Sequence, residues 1–219
     1  IGRRLLLLLM PNGLLKMSVY NMFQVPIIHY KIGNWEVNKK IIMDALPPES
    51  PDNFEEEGGL YTDIFKNADK DSKTLPPYGE TVINIIKPYL ADFTDQRRVE
   101  FTDMWYQYQN PGIAHGCHNH GHSGWSSVIY VEFDPVVHQG TQFYSPFNNP
   151  WNGNLELYIP PVDEGSMVIF PSTIIHESLK NHSDKRRTIV SYNLRGHVDV
   201  VKYEMWQGDP IVKRMVPRE

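Results

Sequence analysis

The sequence predicts a mainly β protein, with antiparallel sheets closed as a sandwich or barrel and two supporting helices ahead of them. Two observations predict it. Apolar residues recur at helical spacing only in the first half of the chain, and from about residue 98 the pattern changes to short runs rich in β-branched and aromatic residues. Most of those runs are bounded by Gly, Pro, Asn or Asp and no helix separates them, which indicates antiparallel pairing.

The elements follow in order. Trp35, Val37, Ile41, Ile42 and Leu46 mark the apolar face of a helix over Trp35 to Leu46, stopped by Pro47-Pro48. Ser50 to Ser72 is rich in Gly, Asp and Glu and reads as a loop. Thr81 to Phe93 reads as a second helix, with a bend expected at Pro88. Strands are expected over Val99 to Tyr108, Ser126 to Phe133, Asn154 to Ile159, Ser166 to Phe170 and Arg187 to Leu194. No internal repeat, low-complexity tract or second domain is evident.

The 219 residues, 41% hydrophobic and 21% charged, suffice for one domain with a sizeable core. A net charge of -5 disfavours nucleic acid and anionic membrane surfaces as partners, and no apolar run is long enough to span a bilayer as a helix. Cys117 is the only cysteine, so no internal disulfide forms, and a reducing, cytoplasmic location is expected. Ile1 to Lys16, where Arg3-Arg4 precede Leu5 to Met10, imitates a signal peptide but lacks a small-residue cleavage site. It reads as a leader, with the natural start expected at Met17 and one domain over 17–219: helical support over about 30–95, a β core over about 98–200.

Four of the nine histidines crowd into His115-Gly116-Cys117-His118-Asn119-His120-Gly121-His122. In an extended chain side chains two apart share a face, so His118 and His120 aim at one point, His122 is in phase with them, and His115 is out of phase. With His176 from a distant strand they form a three-point clamp that leaves positions open for substrate and water. Imidazole suits Fe, Zn, Cu and Ni alike, so the ligands do not choose the metal. The bland alternative is a glycine-rich surface loop that carries histidines by chance. His29, His138, His182 and His197 are isolated and read as surface or core residues.

Gly165 to Phe170 reads as a turn and a buried strand, then a Pro171-Ser172 break that presents His176. Arg187 opens a half-polar strand in which Arg187, Ile189, Ser191 and Asn193 share a face. If that face is interior, the guanidinium needs an anion, and its planar fork fits a carboxylate. Arg186 reads as a surface salt-bridge residue.

Together, His118-x-His120, the run Ser126-Ser127-Val128-Ile129-Tyr130-Val131, Gly165…Phe170-Pro171-Ser172…His176 and Arg187…Ser191-Tyr192-Asn193 resemble the 2-oxoglutarate/Fe(II) oxygenases of bacteria and marine phages, which are similar to the prolyl hydroxylases. The resemblance spans about Trp105 to Leu194. It implies a double-stranded β-helix, or jelly roll, with Fe(II) held by His118, His120 and His176, and 2-oxoglutarate held at its far carboxylate by Arg187. It also implies that Tyr108 and Tyr130, at the places of two cosubstrate-binding tyrosines, help hold it; aromatic core filling is their alternative role. The implied activity is hydroxylation of a small-molecule or peptide substrate, peptidyl proline being the family-level guess, with release of succinate and CO2 and with ascorbate as reductant. Homo-oligomers are compatible with the sequence.

One departure stands out. The wider superfamily has Asp or Glu where this chain has His120, which leaves a divalent ion with its full +2 charge. Asp134 and Glu177 are the carboxylates near enough in sequence to join the metal. Two other readings use the same histidines: a three-histidine zinc hydratase or hydrolase, which leaves Arg187 without a role, and a non-enzymatic cupin-like binder, in which Gly124 and Trp125 stand near the place of the usual Glu. Gln139 to Gly153, with Phe143, Tyr144, Phe147 and Trp151, is expected to form a substrate-selecting loop over the barrel mouth, a partner-binding loop being the alternative.

Overall fold

The computed structural model describes residues 5–10, 13–18, 25–50, 54–55, 60–64, 75–94, 99–121, 124–196, 202–205 and 213–216. Strands β1 (Leu5–Met10) and β2 (Gly13–Ser18) pair with each other. Strand β3 (Ile28–Lys31) leads into helix α1 (Trp35–Ala45). Short strands β4 (Phe54–Glu55) and β5 (Leu60–Thr62) precede helix α2 (Gly79–Phe93). The β core then runs through β6 (Val99–Gln109), β7 (His115–His118), β8 (Trp125–Glu132), β9 (Gln142–Asn148), β10 (Leu155–Tyr158), β11 (Ser166–Pro171), β12 (His176–Ser178) and β13 (Arg187–Gly196). Strands β14 (Lys202–Met205) and β15 (Lys213–Val216) make another separate pair.

Seven strands form one antiparallel sheet in the order β3-β11-β8-β13-β6-β5-β4, and four form a second in the order β10-β9-β12-β7. From β6 to β13 the chain passes back and forth between the two sheets, which is the winding of a double-stranded β-helix. The expected mainly β fold with supporting helices is therefore the observed one.

Alternation along the large sheet divides the interior into two cores. Met104, Tyr106, Tyr108, Ile129, Val131, Met167, Ile169, Val190 and Tyr192 face the helices, and Val82, Ile86 and Leu90 of α2 meet them as a stripe four residues apart. Val128, Tyr130, Val168, Phe170 and Ile189 face the other way and pack on Phe143 of the small sheet. Each fully buried side chain of this kind contributes roughly 1.5–3 kcal/mol. The space for a site lies in this second layer, between the sheets.

Both helices form where the apolar period places them. Helix α1 stops at Ala45 ahead of Pro47-Pro48, and α2 continues without interruption through the bend expected at Pro88, a residue on its exposed side. Within the expected loop over Ser50 to Ser72, β5 instead pairs with β6 (Tyr61 opposite Tyr108) and carries β4 outside it; residues 51–53, 56–59 and 65–74 lie outside the described residues. Gln139 to Gly153 is another correction. About half of it is strand β9, paired in the small sheet, and this is followed by a turn in which Trp151 is 94% exposed. Strands this short carry too few residues to show a period.

Gly165 fastens α1 to the large sheet. Its φ of 81° requires glycine, and an added Cβ would lie 2.7 Å from the Trp35 ring. Gly165→Ala is expected to cost roughly 2–4 kcal/mol of stability, read by urea denaturation, from backbone strain and displacement of Trp35.

Candidate metal centre

The pairing of β12 with β7 builds the site. His176 lies directly opposite His118, and the next rung sets Ser178 opposite His115. Two residues on β12 thus span three on β7, a β-bulge at Gly116-Cys117 that turns His115 and His118 to the same inner face. His120 follows two residues beyond β7, where its backbone N–H donates to Ser172 O at 2.9 Å.

The three imidazoles expected to converge do so. Ring centroids are 4.4 Å apart for His118 and His176, 5.1 Å for His118 and His120, and 5.0 Å for His120 and His176. One nitrogen from each lies within 4.8 Å of the others. Nδ1 of each ring faces an oxygen acceptor: Gly116 O for His118 at 2.7 Å, Asn193 Oδ1 for His120 at 2.8 Å, and Ile174 O for His176 at 2.9 Å. Asn193 is oriented in turn by Nδ2 donating to Asp103 at 3.2 Å and by Ser126 Oγ donating to Oδ1 at 2.8 Å. An acceptor at Nδ1 requires the proton there, so each neutral ring keeps its Nε2 lone pair free, as a metal ligand must.

Burial favours the neutral form of His120 and His176. Desolvation pushes His176 down to about 3, with the carbonyl of Ile174 opposing, and lowers His120, with Asn193 opposing.

The second pole of the cavity is Arg187, the first residue of β13 and 2% exposed. Its Nη1 donates to Ser178 Oγ at 2.7 Å, while Nε and Nη2 are buried without a partner among the described residues. Desolvation disfavours its charged form, and no described carboxylate pairs with it. The guanidinium lies 5.6 Å from the Tyr130 ring centroid and 5.8 Å from that of Phe133. Trp105 adds another buried donor without a partner, its indole Nε1, against the His120 ring at 5.1 Å. Between the histidines and Arg187 lies a cavity of about 20 Å³ walled also by Gln107, His115, Thr141, Glu177 and Ile189. It is narrow, with clear space at its centre for little more than one water.

The remaining sequence expectations divide. Tyr130 is inside: its hydroxyl meets Thr141 Oγ1 at 2.9 Å and accepts from Thr141 N–H at 3.0 Å, beside Arg187. Tyr108 is not. Alternation along β6 sends it to the helix side, where its hydroxyl donates to Pro47 O at 2.7 Å; Gln107, one residue earlier, faces the cavity. Glu177 borders the cavity but is bonded to Tyr144 and Gln142, and Asp134 is paired with Lys185 at 2.5 Å, so neither carboxylate stands with the three nitrogens. Arg186 holds Glu49 and Glu132 at 2.8 Å each, the surface role expected of it. His115, expected out of phase, lines the cavity because of the bulge. His29 and His182 are exposed and His138 is buried, while His122 and His197 lie outside the described residues.

With this geometry in view, comparison with known proteins is informative. Residues 103–193 match the family model described as "Putative 2OG-Fe(II) oxygenase". The likeness to that family covers 91 of the 219 residues. The segment so matched opens in β6 and closes at Asn193, the residue that accepts from His120 Nδ1. Among solved structures, the viral collagen prolyl hydroxylase from Paramecium Bursaria Chlorella virus-1 superposes with a TM-score of 0.51 at 11% identity, over 77% of this chain and 94% of that one. A 2OG-Fe(II) oxygenase family oxidoreductase from Burkholderia pseudomallei gives 0.51 at 14%, over 77% and 84%. The non-heme alpha ketoglutarate dependent carbocyclase SnoK from nogalamycin biosynthesis gives 0.54 at 10%, over 77% and 79%. These likenesses are of fold. No curated protein matches the sequence. Among the described residues no helix is long and apolar enough to cross a membrane.

The depressed histidines make stability of the metal-free protein depend on pH. His176 (about 3) and His115, held at about 4 mainly by desolvation, sit below the unfolded value of about 6.5, so on acidification the unfolded chain takes up protons first. Their contribution is complete above about pH 6.5 and is lost as pH falls toward 4 and 3. The urea midpoint of metal-free protein is expected to fall steadily from pH 7 to pH 5, above the main range of carboxylate titration; a flat profile would contradict the burial of these rings.

Proposed function

We propose that this oxygenase binds Fe(II) through Nε2 of His118, His120 and His176, binds 2-oxoglutarate with its far carboxylate on Arg187, and hydroxylates a C–H bond of an organic substrate. The observation that carries the reading is the buried Arg187, whose Nε and Nη2 lack partners across a cavity from three imidazoles with free lone pairs. A buried guanidinium with unmatched donors is costly, and a carboxylate supplies both the charge and the two acceptors.

The donor set fits the metal as well. Neutral imidazole suits Fe(II), and the oxygen acceptors at Nδ1 hold each ring in the ligating tautomer. When bound, iron and 2-oxoglutarate with O2 supply an oxidant that places one oxygen atom on the substrate carbon, as 2-oxoglutarate becomes succinate and CO2. The chain's own residues do the rest. Arg187 and Ser178 fix the acid's far end, Tyr130 and Thr141 support the wall beside them, and Trp105, Ile189 and Val128 keep bulk water from the cavity. Tyr108 has no part, because its hydroxyl serves Pro47 on the other side of the sheet.

A zinc hydratase would use the three histidines but would leave the donors of Arg187 unmatched, so the same observation weighs against it. For the substrate, peptidyl proline is the first class to test, supported by the fold likeness to a viral collagen prolyl hydroxylase, and free metabolites are the second.

With Fe(II), ascorbate and 2-oxoglutarate, the protein is expected to release succinate slowly without substrate and faster with the correct peptide or metabolite. Anaerobic calorimetry on metal-loaded protein is the decisive check, since no binding of 2-oxoglutarate removes the reading. His176→Ala is expected to abolish stoichiometric metal binding. Arg187→Ala is expected to leave the metal in place and weaken 2-oxoglutarate at least roughly 30-fold, the loss associated with removing one partner of a buried charge pair.

A further inference from the structure

We infer that His115 is a positioning residue for the cosubstrate: its Nε2–H donates to the carboxylate that Arg187 holds. This deepens, and rests on, the function proposed above.

The inference begins with a contrast in tautomers. At His118, His120 and His176, Nδ1 faces an oxygen that only accepts there, so Nδ1 carries the proton and Nε2 offers a lone pair. At His115 the polarity is reversed. Nδ1 lies 3.0 Å from Nε2 of Gln107, an amide nitrogen, which only donates. His115 Nδ1 must accept, so in the neutral ring the proton sits on Nε2. The fourth histidine of the cavity therefore presents a donor where the other three present acceptors. It is built as a hydrogen-bond donor, not as a fourth ligand, and it stands outside the three-nitrogen group.

Its place supplies the second half of the case. The bulge in β7 turns His115 inward, and the register sets it opposite Ser178, whose Oγ accepts from Arg187 Nη1 at 2.7 Å. On its other side the ring stacks on His118, centroids 4.2 Å apart and planes at 26°. His115 thus bridges the metal end and the guanidinium end of one cavity, and both it and Gln107 line that cavity. Gln107 is 4% exposed, so it is held in place to orient the ring. A carboxylate on the two free N–H groups of Arg187 needs acceptor positions filled on its metal-ward side as well, and the His115 Nε2–H is the donor that faces it there.

The test uses full-length protein loaded with Mn(II), which binds the site without turnover, and measures ligand affinity anaerobically by calorimetry. The ligands are 2-oxoglutarate and 2-oxovalerate, the five-carbon 2-oxo acid without the far carboxylate. His115→Phe keeps a stacking ring and removes the donor. It is expected to weaken 2-oxoglutarate roughly tenfold, the effect of one hydrogen bond to a charged group, while Mn(II) and 2-oxovalerate affinities stay within about twofold. His115→Asn, which restores an N–H, is expected to recover part of the loss; a purely structural role would not distinguish these two variants or these two acids. Unchanged 2-oxoglutarate affinity, an equal loss for both acids, or a loss of Mn(II) each overturns the assignment. If His115→Phe does not fold, as judged by circular dichroism, Gln107→Leu takes its place, with a two- to threefold loss of 2-oxoglutarate expected and no loss counting against the inference. Wild-type protein that binds Mn(II) but neither acid instead refutes the proposed function itself, a result separate from any outcome with the variants.

Discussion

The pairing of β12 against β7 is the constraint on which the site depends. It sets His176 across from His118 and Ser178 across from His115, and so builds two adjoining rungs with different chemistry. The first rung carries lone pairs for a metal. The second, through the Ser178 Oγ that Arg187 Nη1 reaches, carries donors for an anion. A regular ladder would not achieve this, because residues three apart on a strand point to opposite faces. The bulge at Gly116-Cys117 lets one short strand turn histidines at both positions into the cavity.

Polarity inside the cavity is asymmetric. The hydrogen-bond capacity directed inward includes the free Nε and Nη2 of Arg187, the indole N–H of Trp105 and the three histidine lone pairs, and the carboxylate at the wall, Glu177, is bonded to Gln142 and Tyr144 instead. Such an interior is under-compensated by itself and is suited to a dianion with a metal ion. Because His120 stands where relatives of the wider superfamily carry an acid, a divalent ion plus Arg187 would keep one positive charge beyond what a dicarboxylate neutralises. Burial of that excess favours tight cosubstrate binding and places weight on each ring's hydrogen-bonded support, from Gly116, Ile174 and the Asn193-Ser126 pair.

Much of this was legible in the chain. The change from helical to alternating period marked the β core, and α1 and α2 formed where their spacing put them, although Val37 and Ile41 of the expected α1 face are exposed. His118, His120, His176 and Arg187 could be nominated because each is a residue type with few bland roles in its setting, and they converge. Tyr130 and Tyr108 were nominated by the resemblance alone, and Tyr108 failed on parity: it stands two positions from Tyr106 and one from Gln107, and only the sheet's orientation says which set faces inward. His115 failed in the opposite sense, since counting by twos assumes a ladder without a bulge. Gln107, Trp105 and Ser178 carried no signal of their own; a glutamine on an aromatic strand reads as surface until its neighbours across the sheet are known.

The sequence by itself determined the fold class and the metal-ligand candidates, because these follow from composition, period and side-chain chemistry, which are local; that Arg187 is buried and needs an anion followed only from the structure. Tertiary structure decided which face of β6 is interior, that β7 is bulged, what Glu177 is bonded to, and which nitrogen of each cavity histidine carries its proton. Those are properties of cross-strand register and of hydrogen-bond partners far away in the chain, and a linear pattern does not contain them.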